Sequence, residues 1–138
     1  MTNSILIDSG PIIALFDRDD SYHSRIKNYI KNNNINLITT TAVVTEVSHM
    51  LSFNVNVQIS FLEWIIREGI ILYEIKQNQF ARIIELSKKY SDLPMDFADA
   101  TLVIAAEHTG IRRIISIDSD FDIYRLPGKE LIQNQLYI

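Results

Sequence analysis

Residues 91–125 read SDLPMDFADATLVIAAEHTGIRRIISIDSDFDIYR, and this stretch decides the fold class. Pro94 is suited to open a helix, because its fixed φ fits the first turn and its missing N–H would find no partner there. The expected helix runs from about Met95 to His108, and Gly110 closes it. Ile114–Ile117 follows as a short apolar strand, leading into acids at every second position, Asp118, Asp120 and Asp122. A helix feeding directly into a continuously apolar strand suits a parallel sheet covered on both faces.

Working outward, the same alternation repeats. Ser4–Asp8 is a buried strand (Ile5, Leu6, Ile7) that ends in an acid and the Gly10-Pro11 break. Ile12–Phe16 reads as an apolar turn, and Asp20–Asn33 as a helix carrying Tyr22, Ile26, Tyr29 and Ile30 at helical spacing. Asn36–Thr40 is a second strand, followed by a helix over Thr41–Ser52 with Val43, Val44, Val47 and Leu51 on its apolar side. Val57–Glu68 is a further helix ended by Gly69, Ile70–Ile75 a third strand, and Asn78–Tyr90 an amphipathic helix with Phe80, Ile83, Ile84 and Leu86 facing inward. Leu136–Ile138 is expected as a fifth strand, at an edge. The pattern predicts one α/β domain over residues 1–138, with a central, mainly parallel sheet of four to five strands. No internal repeat, low-complexity tract or linker interrupts it.

Composition narrows the chemistry. The chain has 138 residues, 47% hydrophobic and 22% charged, which are globular rather than disordered proportions. It has no cysteine, and His23, His49 and His108 show no zinc-ligand spacing. Any metal must therefore be held by oxygen or imidazole, and with many carboxylates a hard ion such as Mg²⁺ or Mn²⁺ is expected. The net charge is −4, from 17 acids and 13 bases. Setting aside four acids of a candidate site leaves 13 of each, so the balance does not exclude a nucleic acid substrate. The opening MTNSILIDSGPIIALFD lacks the basic flank and long apolar run of a signal peptide, and no apolar run is long enough for a membrane span. A cytoplasmic location is the expectation.

The candidate site is made of acids. Ligands of open parallel sheets bind beyond the carboxyl ends of the strands. Asp8 ends the first strand and Asp118 follows the fourth. Glu46 lies in the early turns of the helix after the second strand, and Asp99 in the first turns of the helix opened by Pro94. Each has an ordinary reading taken alone. Asp8 suits a turn or cap, Glu46 a solvated helix face, Asp96 the N-cap of the helix that carries Asp99, and Asp118 with Asp120 an acidic turn. Together they repel one another unless protons or cations compensate. A bound divalent cation does so, and it suits displacement at phosphorus.

Three segments, ILIDSGPIIALFDRDDSYH, TTTAVVTEVSHML and residues 91–125, follow one another in a familiar order and spacing. In them the chain resembles the PIN domains, and among these the VapC-type toxins of toxin–antitoxin pairs. The resemblance implies a three-layer α/β/α fold and a Mg²⁺- or Mn²⁺-dependent endoribonuclease that hydrolyses RNA phosphodiesters to a 5′-phosphate and a 3′-hydroxyl. It assigns the acidic quartet to Asp8, Glu46, Asp99 and Asp118. Asp8 and Asp99 become metal ligands, while Glu46 and Asp118 complete a second ion site or act through water. Asp96 and Asp120 are auxiliaries, and Ser116 and Ser9 are hydroxyls that orient the site. The family also implies a homodimer and a small DNA-binding antitoxin as partner. The apolar stretch around Phe61, Leu62, Trp64 and Ile65 serves either core packing or such an interface. Two other readings stay open: a non-catalytic α/β interaction module, and an RNA-processing nuclease outside toxin–antitoxin systems. A phosphatase-like use of Asp8 ranks lower, since Gly10 stands where a second acid would be needed.

Overall fold

The computed structural model describes residues 3–93 and 95–136. Strand β1 (Ser4–Ile7) is buried throughout and passes at once into helix α1 (Ser9–Phe16). Asp8 joins them as N-cap, its carboxylate accepting the Ser9 N–H at 2.8 Å. Ile12–Phe16, expected as an apolar turn, is the body of this helix. Five successive apolar residues show no amphipathic period, and Pro11 occupies the first turn, where proline is tolerated.

Helix α2 (His23–Asn32), strand β2 (Asn36–Thr40) and helix α3 (Thr41–Met50) come next. Helix α4 (Val55–Ile66) starts two residues before its expected position, because Asn54 caps it by accepting the Asn56 N–H. Gly69 was expected to end this helix. Instead Glu68 takes the left-handed conformation (φ 61°), and Gly69 lies beneath the Trp64 indole, where a Cβ would stand 1.8 Å from Nε1. The glycine is needed for space.

Strand β3 (Ile71–Tyr73) leads through a 3₁₀ turn at Gln77–Gln79 into α5 (Phe80–Lys89). On α5, Ile83 and Leu86 are buried as expected, but Phe80 and Ile84 are exposed, and Phe80 meets Phe97 at the surface with 5.7 Å between ring centroids. Helix α6 (Phe97–Thr109) is buried from Ala98 to Ala106 and ends at Gly110 in the left-handed conformation (φ 80°). Pro94, expected to open it, lies outside the described residues. Strand β4 (Arg113–Ile115), a 3₁₀ turn at Asp120–Asp122, the antiparallel pair β5 (Arg125–Leu126) and β6 (Glu130–Leu131), and strand β7 (Gln133–Asn134) complete the chain.

The five strands of the main sheet lie in the order β3-β2-β1-β4-β7, all parallel, with Leu6 opposite Ile38 on one side and Ile114 on the other. The fifth strand is thus an edge strand as expected, but it lies at Gln133–Asn134. Leu136 is a buried turn residue after it, and 137–138 lie outside the described residues. Helix α6 packs on β2 and against α5, while α1 packs on α2 and α3, giving the expected three-layer α/β/α architecture. Among the described residues, no helix is long and apolar enough to cross a membrane.

Candidate active site

The strand order reverses at β1, with β2 on one side and β4 on the other. Connections leaving the carboxyl ends of β1 and β4 diverge, and such a switch point opens a crevice. Asp8 emerges there from β1 and Ser116 from β4, tied together by the Asp8 N–H donating to the Ile115 carbonyl at 3.0 Å.

The Asp8 carboxylate is buried, with one oxygen on the Ser9 N–H and the other accepting the Ser116 Oγ–H at 3.1 Å. Burial dominates its electrostatics and lifts its pKa from 3.8 to about 7. The Ser9 and Ser116 hydrogen bonds pull it down, and the charges of Asp118 and Glu46 push it up.

Asp99 stands in the first turn of α6. Asp96 is the N-cap, as expected, and accepts the Asp99 N–H at 2.8 Å. The Asp99 side chain accepts the buried Tyr124 hydroxyl on Oδ2, also at 2.8 Å. Burial again leads, raising the Asp99 pKa to about 8; Tyr124 opposes this, and the charges of Asp8, Asp96 and Asp118 add to it. Tyr124 is itself pushed up, first by burial and then by its bond to Asp99. A hydrogen bond between the Thr40 and Thr101 hydroxyls at 2.7 Å anchors the first turns of α6 to the end of β2.

The remaining expected residues surround this pair. Asp118 is exposed and accepts the Asp120 N–H at 3.0 Å, while its carbonyl lies 3.4 Å from the Ser116 hydroxyl that bonds Asp8. Asp120 is half-buried, and its pKa is raised by burial and by Asp118 and Asp96. Glu46, half-buried on α3, bears on the group through its charge on Asp8. Ser9 acts through its backbone N–H rather than through the hydroxyl expected to orient the site.

Two neighbours of the site were not anticipated. Tyr124 holds Asp99 across 25 positions of sequence. Asn134 binds Ser116 on both sides: its Oδ1 accepts the Ser116 N–H at 3.2 Å, and its Nδ2 donates to the Ser116 carbonyl at 2.9 Å. The only hint for Tyr124 was general, that a buried tyrosine hydroxyl needs a partner. For Asn134 there was none.

Among the described residues, no three acidic or histidine side chains stand together as a set that could hold an ion by themselves. A hard dication needs fewer, since Mg²⁺ keeps several of its waters and takes one or two carboxylates. The Asp8–Asp99 pair fits that demand: both are oxygen donors, both are buried, and the charge of Asp8 weighs on Asp99. A cation held there would offset the burial and like-charge repulsion that raise both pKa values.

A solved structure shares this architecture. The sarcin–ricin loop cleaving toxin VapC20 of Mycobacterium tuberculosis superposes with a TM-score of 0.78 over 86% of this chain and 93% of that one. At 16% identity the likeness concerns the fold. No curated protein matches the sequence significantly. The PIN domain family matches residues 5–126, from the first strand through the acidic turn to β5. That match takes in Asp8, Glu46, Asp99 and Asp118 together, and the chain belongs to the PIN-domain family.

Proposed function

We propose that this chain is a metal-dependent endoribonuclease acting as one domain, with its active site at the crevice between β1 and β4. The observation that carries this reading is the pair of buried carboxylates, Asp8 and Asp99, lifted to about 7 and about 8 at a switch point ringed by further acids. Structural acids are normally solvated or paired with bases, whereas these have hydroxyl and backbone donors and like-charged neighbours.

In this reading Asp8 and Asp99 hold the ion, which would be Mg²⁺ or Mn²⁺ and would supply charge neutralisation and water activation at the scissile phosphate. Ser116 and Ser9 fix the Asp8 carboxylate, and Tyr124 fixes that of Asp99. Glu46 and Asp118 complete a second ion site or orient water. Asp96 and Asp120 support Asp99 and Asp118. The products are a 5′-phosphate and a 3′-hydroxyl. RNA as substrate is supported by the family, since no group here calls for a 2′-hydroxyl.

A toxin role is supported by the shared fold of a ribonuclease toxin. It brings a cytoplasmic setting and a small DNA-binding antitoxin as partner. The exposed Phe53, Val55, Ile59, Leu62 and Ile66 on and before α4 suit a protein interface, for that antitoxin or for a homodimer. The test is cleavage of transfer, ribosomal and messenger RNA with and without Mn²⁺, using wild type, Asp8→Asn and Asp99→Asn. Metal-dependent cleavage lost in both variants is the expected result. Undiminished cleavage by Asp8→Asn would overturn the site.

A further inference from the structure

Beside Ser116 and Asp118 opens a pocket of about 220 Å³ that the acid pair does not use. Its lining includes Tyr22, Arg25, Ile117, Asp118, Ser119 and Leu136. We propose that it is a subsite for one unpaired nucleobase of the RNA, adjacent to the phosphodiester addressed by Asp8 and Asp99. This rests on the ribonuclease reading above.

Charge separates a base from a phosphate as the occupant. The wall carries one basic side chain, Arg25, and one acidic side chain, Asp118. A phosphate entering here meets the Asp118 carboxylate without a net positive field to hold it. A nucleobase is neutral, flat and apolar on its faces, with donors and acceptors on its edge. Ile117 and Leu136 supply apolar wall, and Tyr22 an aromatic ring, the kind of surface on which single-stranded bases stack.

The polar groups are placed to read an edge. Arg25 is anchored by its Nη2, which donates to the Leu136 carbonyl at 2.6 Å. Its other N–H groups make no hydrogen bond among the described residues, and they can donate to a base carbonyl or ring nitrogen. The backbone at Tyr22 is held before any ligand arrives. Its N–H donates to the Asp20 carboxylate at 2.8 Å, and its carbonyl accepts the Ile26 N–H at 3.0 Å. The ring is partly buried against the core, so it has less freedom to lose on binding, which favours affinity. The shared wall matters as well. Ser116 and Asp118 belong to both pocket and acid site, so a base seated here places its own phosphate at the carboxylates.

The experiment measures cleavage of short single-stranded RNAs that differ at one base, with Mn²⁺, by wild type, Tyr22→Leu and Tyr22→Phe. Tyr22→Leu is expected to raise KM about tenfold, the scale of losing one stacked base, with a smaller fall in kcat and a flattened base preference. Tyr22→Phe keeps the ring and restores most of the affinity. A second measurement is independent of cleavage: amide NMR shifts on adding each 5′-nucleoside monophosphate. Shifts centred on Tyr22, Arg25, Ile117 and Ser119, lost in Tyr22→Leu, support the subsite. If wild type cleaves RNA but Tyr22→Leu keeps its KM and base preference, the subsite is wrong and the ribonuclease reading stands. If wild type cleaves nothing, the ribonuclease reading falls, and absent monophosphate shifts overturn the pocket too.

Discussion

The side chain of Asn134 pairs with the backbone of Ser116 as a neighbouring strand would, accepting its N–H at 3.2 Å and donating to its carbonyl at 2.9 Å. The same Oδ1 also accepts the Leu136 N–H at 3.1 Å. Strand β7 is only two residues long, and this amide extends its ladder to the point where the Ser116 hydroxyl turns toward Asp8.

Asn134→Ala should therefore slow cleavage as well as destabilise the fold. Leaving the Ser116 peptide groups unpaired costs about 1–3 kcal/mol, and a displaced Ser116 loosens Asp8. We expect at least an order of magnitude less kcat, read from single-turnover cleavage alongside thermal unfolding. A lowered Tm with wild-type kcat would show that Asn134 serves the fold alone.

Tyr124→Phe removes one hydroxyl and little else. The hydrogen bond it breaks favours the ionised form of Asp99, so the Asp99 pKa should climb above about 8 in the metal-free protein. Carboxyl ¹³C titration measures this directly. An unchanged Asp99 titration would count against the Tyr124 contact.

Metal removal should make stability depend on pH in a definite sense. Both carboxyls have folded-state pKa values above the ordinary 3.8, about 7 for Asp8 and about 8 for Asp99. Well below the ordinary 3.8 the two are protonated whether the chain is folded or not. As pH rises the unfolded chain ionises first, so the native state loses stability until the folded carboxyls ionise near pH 7–8. Each group contributes a slope of at most about 1.4 kcal/mol per pH unit in that window. Calorimetry in a chelator should show a contribution from this pair that lowers Tm between pH 5 and 8, and Mn²⁺ at pH 8 should recover it. Asp8→Asn should flatten the dependence and blunt the response to metal.

Gly69→Ala tests a packing claim remote from the site. The new methyl would fall 1.8 Å from Trp64 Nε1, and the indole is backed by Phe16 at 5.3 Å between centroids. Moving it should cost about 1–3 kcal/mol and shift the emission of Trp64, the sole tryptophan. Tm should fall while the Mn²⁺ response stays intact.

The sheet was legible because its strands are apolar runs bounded by Asp, Asn and Gly, as in ILID and INLITT. Helix α6 was legible through its ends, Asp96 and Gly110, although its apolar residues cover nearly every face. The same uniformity hides α1, whose eight residues carry no period and whose cap, Asp8, reads equally as a turn former or a site acid. Convergence of Asp8 with Asp99 followed from placing each at a strand end or helix start. The contacts that orient them did not, since Tyr124 and Asn134 reach partners 25 and 18 positions away through side-chain geometry. Strand β7 was misplaced because a two-residue edge strand with polar Gln133 and Asn134 has neither length nor apolar pattern.

The two carboxylates stand on supports of unequal permanence. Asp99 belongs to a helix buried over nine consecutive residues, whose amides should exchange with solvent only when the whole domain opens. One carboxylate oxygen of Asp8 is fixed by a serine clasped by the edge strand, two residues long, where local opening should come first. This support of Asp8 should therefore loosen more readily than the helix that carries Asp99. Any partner that settles on the free side of β7 would then act on the lifetime of the competent arrangement without touching either acid.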